Sequence, residues 1–155
     1  MLYGSERSRT MPSKRYFTLA EANAQVQRLH AVFTQVMQVR MQLKALYERL
    51  DRAGFAPEQG DEDELPEGAP PHVLRDRAHF YGLVEALREQ VDLIHDTGAQ
   101  IKDIEIGLVD WPGRAADRDI LWCWRFGEPE VAFWHDPDAG FDGRRPVSEL
   151  DGILP

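Results

Sequence analysis

The sequence predicts an α+β fold: a long antiparallel helical hairpin packed with a small three-stranded antiparallel meander. Three observations point there. Apolar residues recur at alternating four- and three-residue steps through two long stretches. One acidic, proline-rich segment separates those stretches. The last third switches to short β-branched and aromatic runs set apart by Gly and Pro.

The elements follow in order. Residues 1–15 read as a flexible arm with Arg7, Arg9, Lys14 and Arg15 against Glu6 alone, and either Met1 or Met11 could be the native start. Thr18-Leu19-Ala20-Glu21 has the spacing of a capping box, which assigns Glu21 to a helix cap rather than to acid catalysis, with Phe17 placed to staple onto Ala22. From there Ala22, Val26, Leu29, Phe33, Val36, Leu43, Tyr47 and Leu50 form a heptad-like stripe. Neither Gly nor Pro interrupts residues 19–52, and Gly54 provides a stop. A helix of that length spans about 50 Å and needs a partner helix to cover its stripe. Residues 54–71 hold four prolines, three glycines and six acids with no base, the composition of a solvated linker. A second helix is expected over roughly His72–Thr97, with Phe80, Val84, Leu87, Val91 and Ile94 on its apolar face and Gly98 beyond its end. Strands are expected at Ile104–Val109, Asp119–Phe126 and Pro129–His135, with turns at Trp111-Pro112-Gly113 and Gly127-Glu128-Pro129. Residues 16–147 make a single domain on this reading, and residues 148–155 an irregular tail.

The composition narrows function by exclusion. Hydrophobic residues make up 43% of 155, enough for a real core. Asp and Glu outnumber Lys and Arg by 27 to 18, a net charge of −9. That disfavours coating nucleic acid or an anionic membrane. A nucleic-acid role would rest on the basic arm and on Arg28, Arg40, Lys44, Arg49 and Arg52 of the first helix. No apolar run approaches the ~20 residues of a membrane span, and the first residues lack the apolar stretch of a secretory signal. One cysteine, Cys123, excludes an internal disulfide framework and a cysteine-based zinc finger, and a reducing cytoplasm is the simplest location. No glycine-rich phosphate loop or serine-hydrolase elbow is present.

The meander makes a statement about chemistry. Adjacent strands reverse direction, so Asp110 should lie near Asp119, and His135 should return beside Ile120. One end of the sheet then gathers Asp110, Asp117, Asp119, His135, Asp136 and Asp138, while Glu128 lies at the other. A histidine among carboxylates suits a metal site or an acid/base pair. The loop that follows, through Gly140 and Gly143 to Arg144 and Arg145, adds cations that could engage a carboxylate or phosphate. The structural alternative has Asp138 capping loop amides and Arg144 pairing with an Asp. Cys123 reads as a small buried hydrophobe pointing away from Trp122 and Trp124, its neighbour unidentified. His30, His72, His79 and His95 form no i, i+4 ligand pair. Arg125 and Glu130 are expected to pair beside the second turn.

Four segments carry a family resemblance: Thr18–Asn23 (TLAEAN), Gly98–Pro112 (GAQIKDIEIGLVDWP), Leu121–Glu128 (LWCWRFGE) and Trp134–Arg145 (WHDPDAGFDGRR). Together they resemble the bacterial and archaeal domain-of-unknown-function family DUF2203 over about residues 16–147. Ala20, Trp111, Phe126 and Asp136 depart from its usual pattern, Pro137 is extra, and the acidic linker is private to this chain. The resemblance implies a soluble prokaryotic protein with this helix-then-strand order and no assigned activity. Its motif positions here are Asp110, Cys123, Trp124, Glu128, His135, Asp138 and Arg144.

The functional expectation is a pocket formed by Asp110, His135, Asp138, Arg144 and Glu128 that binds a small ligand or a divalent metal ion. His135 and Asp110 would be the metal ligands, with Arg144 engaging an anionic ligand. The alternative is a non-enzymatic scaffold or adaptor whose helices bind a protein partner. In either case the long helices are expected to form a homodimer. A site in which Asp110, His135 and Arg144 satisfy each other without a cavity would favour the scaffold. Unpaired acceptors lining an open pocket would favour the ligand.

Overall fold

The computed structural model describes residues 15–60 and 64–150. The expected arm (apart from Arg15), the acids at 61–63 and the last five residues lie outside that description. The elements run α1 (Leu19–Asn23), α2 (Val26–Arg52), α3 (Pro71–Asp96), β1 (Gln100–Asp103), β2 (Leu108–Ala115), β3 (Arg118–Arg125), β4 (Phe133–His135) and β5 (Arg145–Pro146), with 3-10 turns at Phe141–Gly143 and Val147–Leu150. The architecture is the expected α+β, but the sheet has five antiparallel strands in the order β1-β2-β3-β4-β5 rather than three.

The capping box at Thr18 forms as read: the Glu21 amide donates to the Thr18 hydroxyl and the Thr18 amide to the Glu21 carboxylate. The expected continuous helix is interrupted at Ala24–Gln25. There the Asn23 side-chain oxygen accepts from the Val131 amide at 2.6 Å, tying the helix start to the segment before β4. Pro71 begins α3, where a missing N–H costs nothing. The two long helices pack antiparallel, and Arg49 grips both oxygens of Asp76 across the hairpin. Val32, Val39 and Leu46 are buried on α2, whereas Tyr47 of the expected stripe is exposed. Among the described residues no helix is long and apolar enough to cross a membrane.

One expected strand and one expected turn are corrected, and the expected strand Pro129–His135 is paired only over Phe133–His135. Residues 104–107 are a turn, not strand, because the Asp103 carboxylate accepts from the Glu105 amide and closes the chain on itself. Ile104 and Ile106 imitate a strand only by their β-branching. Trp111-Pro112-Gly113 is not a turn either. It lies inside β2, which continues to Ala115 and reverses at Ala116-Asp117, both with positive φ (49° and 64°), the signature of a two-residue hairpin loop. Gly113 is there for space, since the Trp122 indole occupies the position a Cβ would take. Arg145–Pro146 pair with β4, and Ser148 to Leu150 of the expected irregular tail belong to a 3-10 turn that buries Leu150.

Period-two alternation divides the sheet into two faces. Val109, Trp111, Ile120, Trp122, Trp124 and Trp134 face the helices and pack with Leu29, Phe33, Val36 and Ile94 in one core. Each indole N–H finds a backbone carbonyl: Trp111 donates to Thr97 (3.3 Å), Trp122 to Phe17 (2.7 Å), Trp124 to Glu128 (3.0 Å) and Trp134 to Pro146 (3.2 Å). The tryptophans therefore fill volume and also pin the chain before α1, the exit of α3, the β3–β4 turn and β5.

Opposite effects are expected at two positions of this sheet, both measured by denaturant unfolding. Gly113→Ala forces a Cβ into the Trp122 ring and lowers stability by about 2 kcal/mol. Asp117→Gly relieves a left-handed conformation and raises it by about 0.5–1 kcal/mol.

Candidate functional site

The second face of the sheet carries the chemistry. Asp110 on β2 stands opposite Cys123 on β3, Cys123 opposite Phe133, and Leu121 opposite His135 on β4. Cross-strand partners share a face, so Asp110, Cys123 and His135 meet on the side away from the tryptophans. All three are buried, at 1%, 0% and 3% exposure, although they face away from the helices. The segment from Asp136 to Arg144 folds over them as a roof.

His135 Nε2 lies 3.0 Å from Asp110 Oδ2, and His135 Nδ1 lies 2.8 Å from the Asp136 carbonyl oxygen. A carbonyl only accepts, so Nδ1 carries the proton there. The contact at Nε2 then needs a second proton, held between imidazole and carboxylate. The other carboxylate oxygen, Asp110 Oδ1, is buried and has no hydrogen-bond partner. A carboxylate oxygen, an imidazole nitrogen and the Cys123 sulfur lie within 4.8 Å of one another. Burial, reinforced by the Asp110 charge beside it, pushes the Cys123 thiol up to about 12 from 9.0. A thiol so held is not a nucleophile.

The expected rim of acids does not assemble. Because β2 runs on past Gly113, Asp119 stands opposite Arg114 rather than near Asp110, and accepts from the Tyr16 hydroxyl. Asp117 sits exposed in the β2–β3 loop, Asp136 lies 3.7 Å from Arg118, and Asp138 is exposed on the roof. Arg144 is engaged elsewhere. Its Nη2 donates to both oxygens of Glu128 (2.7 and 2.9 Å), and its guanidinium lies over the rings of Phe133 (4.1 Å) and Phe141 (5.0 Å). Glu128 also accepts from the Arg125 amide, and Arg125 forms no ion pair with Glu130. Glu128 and Arg144 thus clasp the roof to the β3–β4 turn, and do not join Asp110 and His135.

Beside the His135–Asp110 pair is a cavity of about 150 Å³ with Leu108, Leu121, Pro137 and Phe141 as walls. Lys102, Asp110 and His135 are its polar lining. Sequence reasoning missed Lys102, and found no partner for Cys123. The signal for Cys123 was the register opposite Asp110, hidden by the misplaced turn. Lys102 sits at a register irregularity in β1, between Ile101 and Asp103, that simple alternation cannot foresee.

The folded thiol titrates above its unfolded value, so its stabilisation is complete below pH 9 and is lost as pH rises towards 12. Denaturant midpoints should fall over that window, and Cys123→Ala should flatten the fall. Native Cys123 should resist alkylation at pH 8 and react on unfolding.

Comparison with curated proteins and with solved structures finds no match. A family model described as "Uncharacterized conserved protein (DUF2203)" matches residues 15–147, and the motifs holding Asp110, Cys123 and His135 lie within that span. The chain therefore belongs to the DUF2203 family.

Proposed function

We propose that the protein binds a divalent transition-metal ion through Asp110, Cys123 and His135 and presents it to a small ligand in the adjoining cavity. The unpartnered, buried Asp110 Oδ1 beside a thiol and an imidazole carries this reading. A buried acceptor without a partner costs about 1–3 kcal/mol, and a cation would remove that cost. Imidazole with thiolate suits zinc, copper or iron rather than magnesium or calcium. Three protein ligands leave a further position for a ligand, as in metal sites that do chemistry. The Nδ1–H bond to the Asp136 carbonyl fixes the tautomer that leaves Nε2 available to an ion. An ion would displace the proton held between His135 and Asp110 and the proton of the Cys123 thiol. A thiol with no disulfide partner fits a reducing cytoplasm.

Elemental analysis of protein purified without chelator should find about one equivalent of metal. His135→Ala and Asp110→Asn should each reduce this to about a tenth of an equivalent or less. Sub-stoichiometric metal, unchanged in His135→Ala, would remove the reading.

The hairpin supports the proposed homodimer separately. Met41 (73%) and Tyr47 (43%) are exposed on α2, and Phe80, Leu83, Val84 and Leu87 are only half-buried on α3. α2 carries five bases against two acids and α3 three bases against five acids, so α2 of one copy complements α3 of another. Two hairpins pairing in this way would make a four-helix bundle. Light scattering should give twice 17.8 kDa, and Met41→Lys with Tyr47→Lys should halve that mass. A wild-type monomer would end the dimer reading.

A further inference from the structure

We infer that the cavity beside the proposed metal centre receives a short-chain monocarboxylate, with its carboxylate between the ion and Lys102; the inference rests on the metal reading. Charge supplies the first argument. The Asp110 carboxylate and a Cys123 thiolate offset a divalent ion, and a neutral imidazole adds nothing. The centre alone is then close to neutral. Lys102 lines the same cavity and has no ion-pair partner among the described residues, unlike Arg144, which Glu128 occupies. One positive charge is left over, and one negative charge matches it. A phosphate dianion would exceed it.

Shape supplies the second argument. The remaining walls, Leu108, Leu121, Pro137 and Phe141, offer no polar side chain to further oxygens. They suit an alkyl chain. The volume, about 150 Å³, equals roughly five waters at about 30 Å³ each, which limits the guest to a few carbons. A monocarboxylate of this size puts its two oxygens at the polar end and its carbons against the apolar walls.

The test uses full-length protein loaded with Co²⁺, whose visible absorption reports its ligands, and propionate as the probe. Propionate should shift the cobalt bands saturably. Lys102→Met, an exposed position on β1, should leave the starting bands unchanged and weaken propionate binding by about tenfold, as expected on losing one partly shielded ion pair. No band shift with propionate, an equal affinity in Lys102→Met, or tighter binding of inorganic phosphate would overturn the carboxylate inference while leaving the metal site standing. Protein that takes up no Co²⁺ would overturn both.

Discussion

Everything at the site depends on the tryptophan layer between the sheet and the helices. Trp111, Trp122, Trp124 and Trp134 are each at most 2% exposed, and every indole N–H is satisfied by a backbone carbonyl. Burying four such rings on one face leaves no freedom of register. A slip of one residue would drive indoles out of the core and carboxylates into it. With the register fixed, the intervening positions Asp110, Cys123 and His135 must share the other face. The polar site is the reverse side of the hydrophobic core.

The outer face of a sheet packed on one side by helices would ordinarily be open to water. Here it is covered. The roof from Asp136 to Arg144 is held by the Arg144–Glu128 pair and by stacking of the same guanidinium on Phe133 and Phe141. Covering a carboxylate and an imidazole in this way does little for stability, because desolvation offsets the attraction between them, and the stranded Asp110 oxygen is a further loss. Apolar residues at these positions would pack more stably. On the proposed metal reading, a bound ion would offset that cost.

The parts of this structure legible in the sequence are those in which local signals and tertiary packing agree. Thr18 and Glu21 cap the first helix as their spacing dictates, and α3 begins and ends within a residue of its expected limits. His135 meets Asp110 as expected, although by a different route from the one that led there. The failures have specific causes. Pro112-Gly113 imitates a turn because glycine serves two purposes, and here it makes room for the Trp122 indole. The apolar residues at 104 and 106 imitate a strand because Asp103 closes a turn through its side chain, which periodicity does not see. Arg144 reads as an anion anchor because its tie to Glu128, sixteen residues away, appears only once the roof has folded.

Cys123 shows how burial and one neighbour together decide a residue's chemistry. A thiol beside an imidazole invites comparison with a catalytic pair, and the distances alone would allow it. The Asp110 carboxylate changes the outcome. The surrounding burial, reinforced by its charge, keeps the proton on sulfur, and both ring nitrogens of His135 are already engaged, one by a carbonyl and one by that same carboxylate. No base is left to take the thiol proton. In the proposed metal site a divalent cation would be held by the Asp110 carboxylate, the His135 imidazole and the Cys123 thiolate, and its charge would favour loss of the protons that the site otherwise retains. The carboxylate that helps to disqualify Cys123 as a nucleophile is also the neighbour that would share the proposed ion with it.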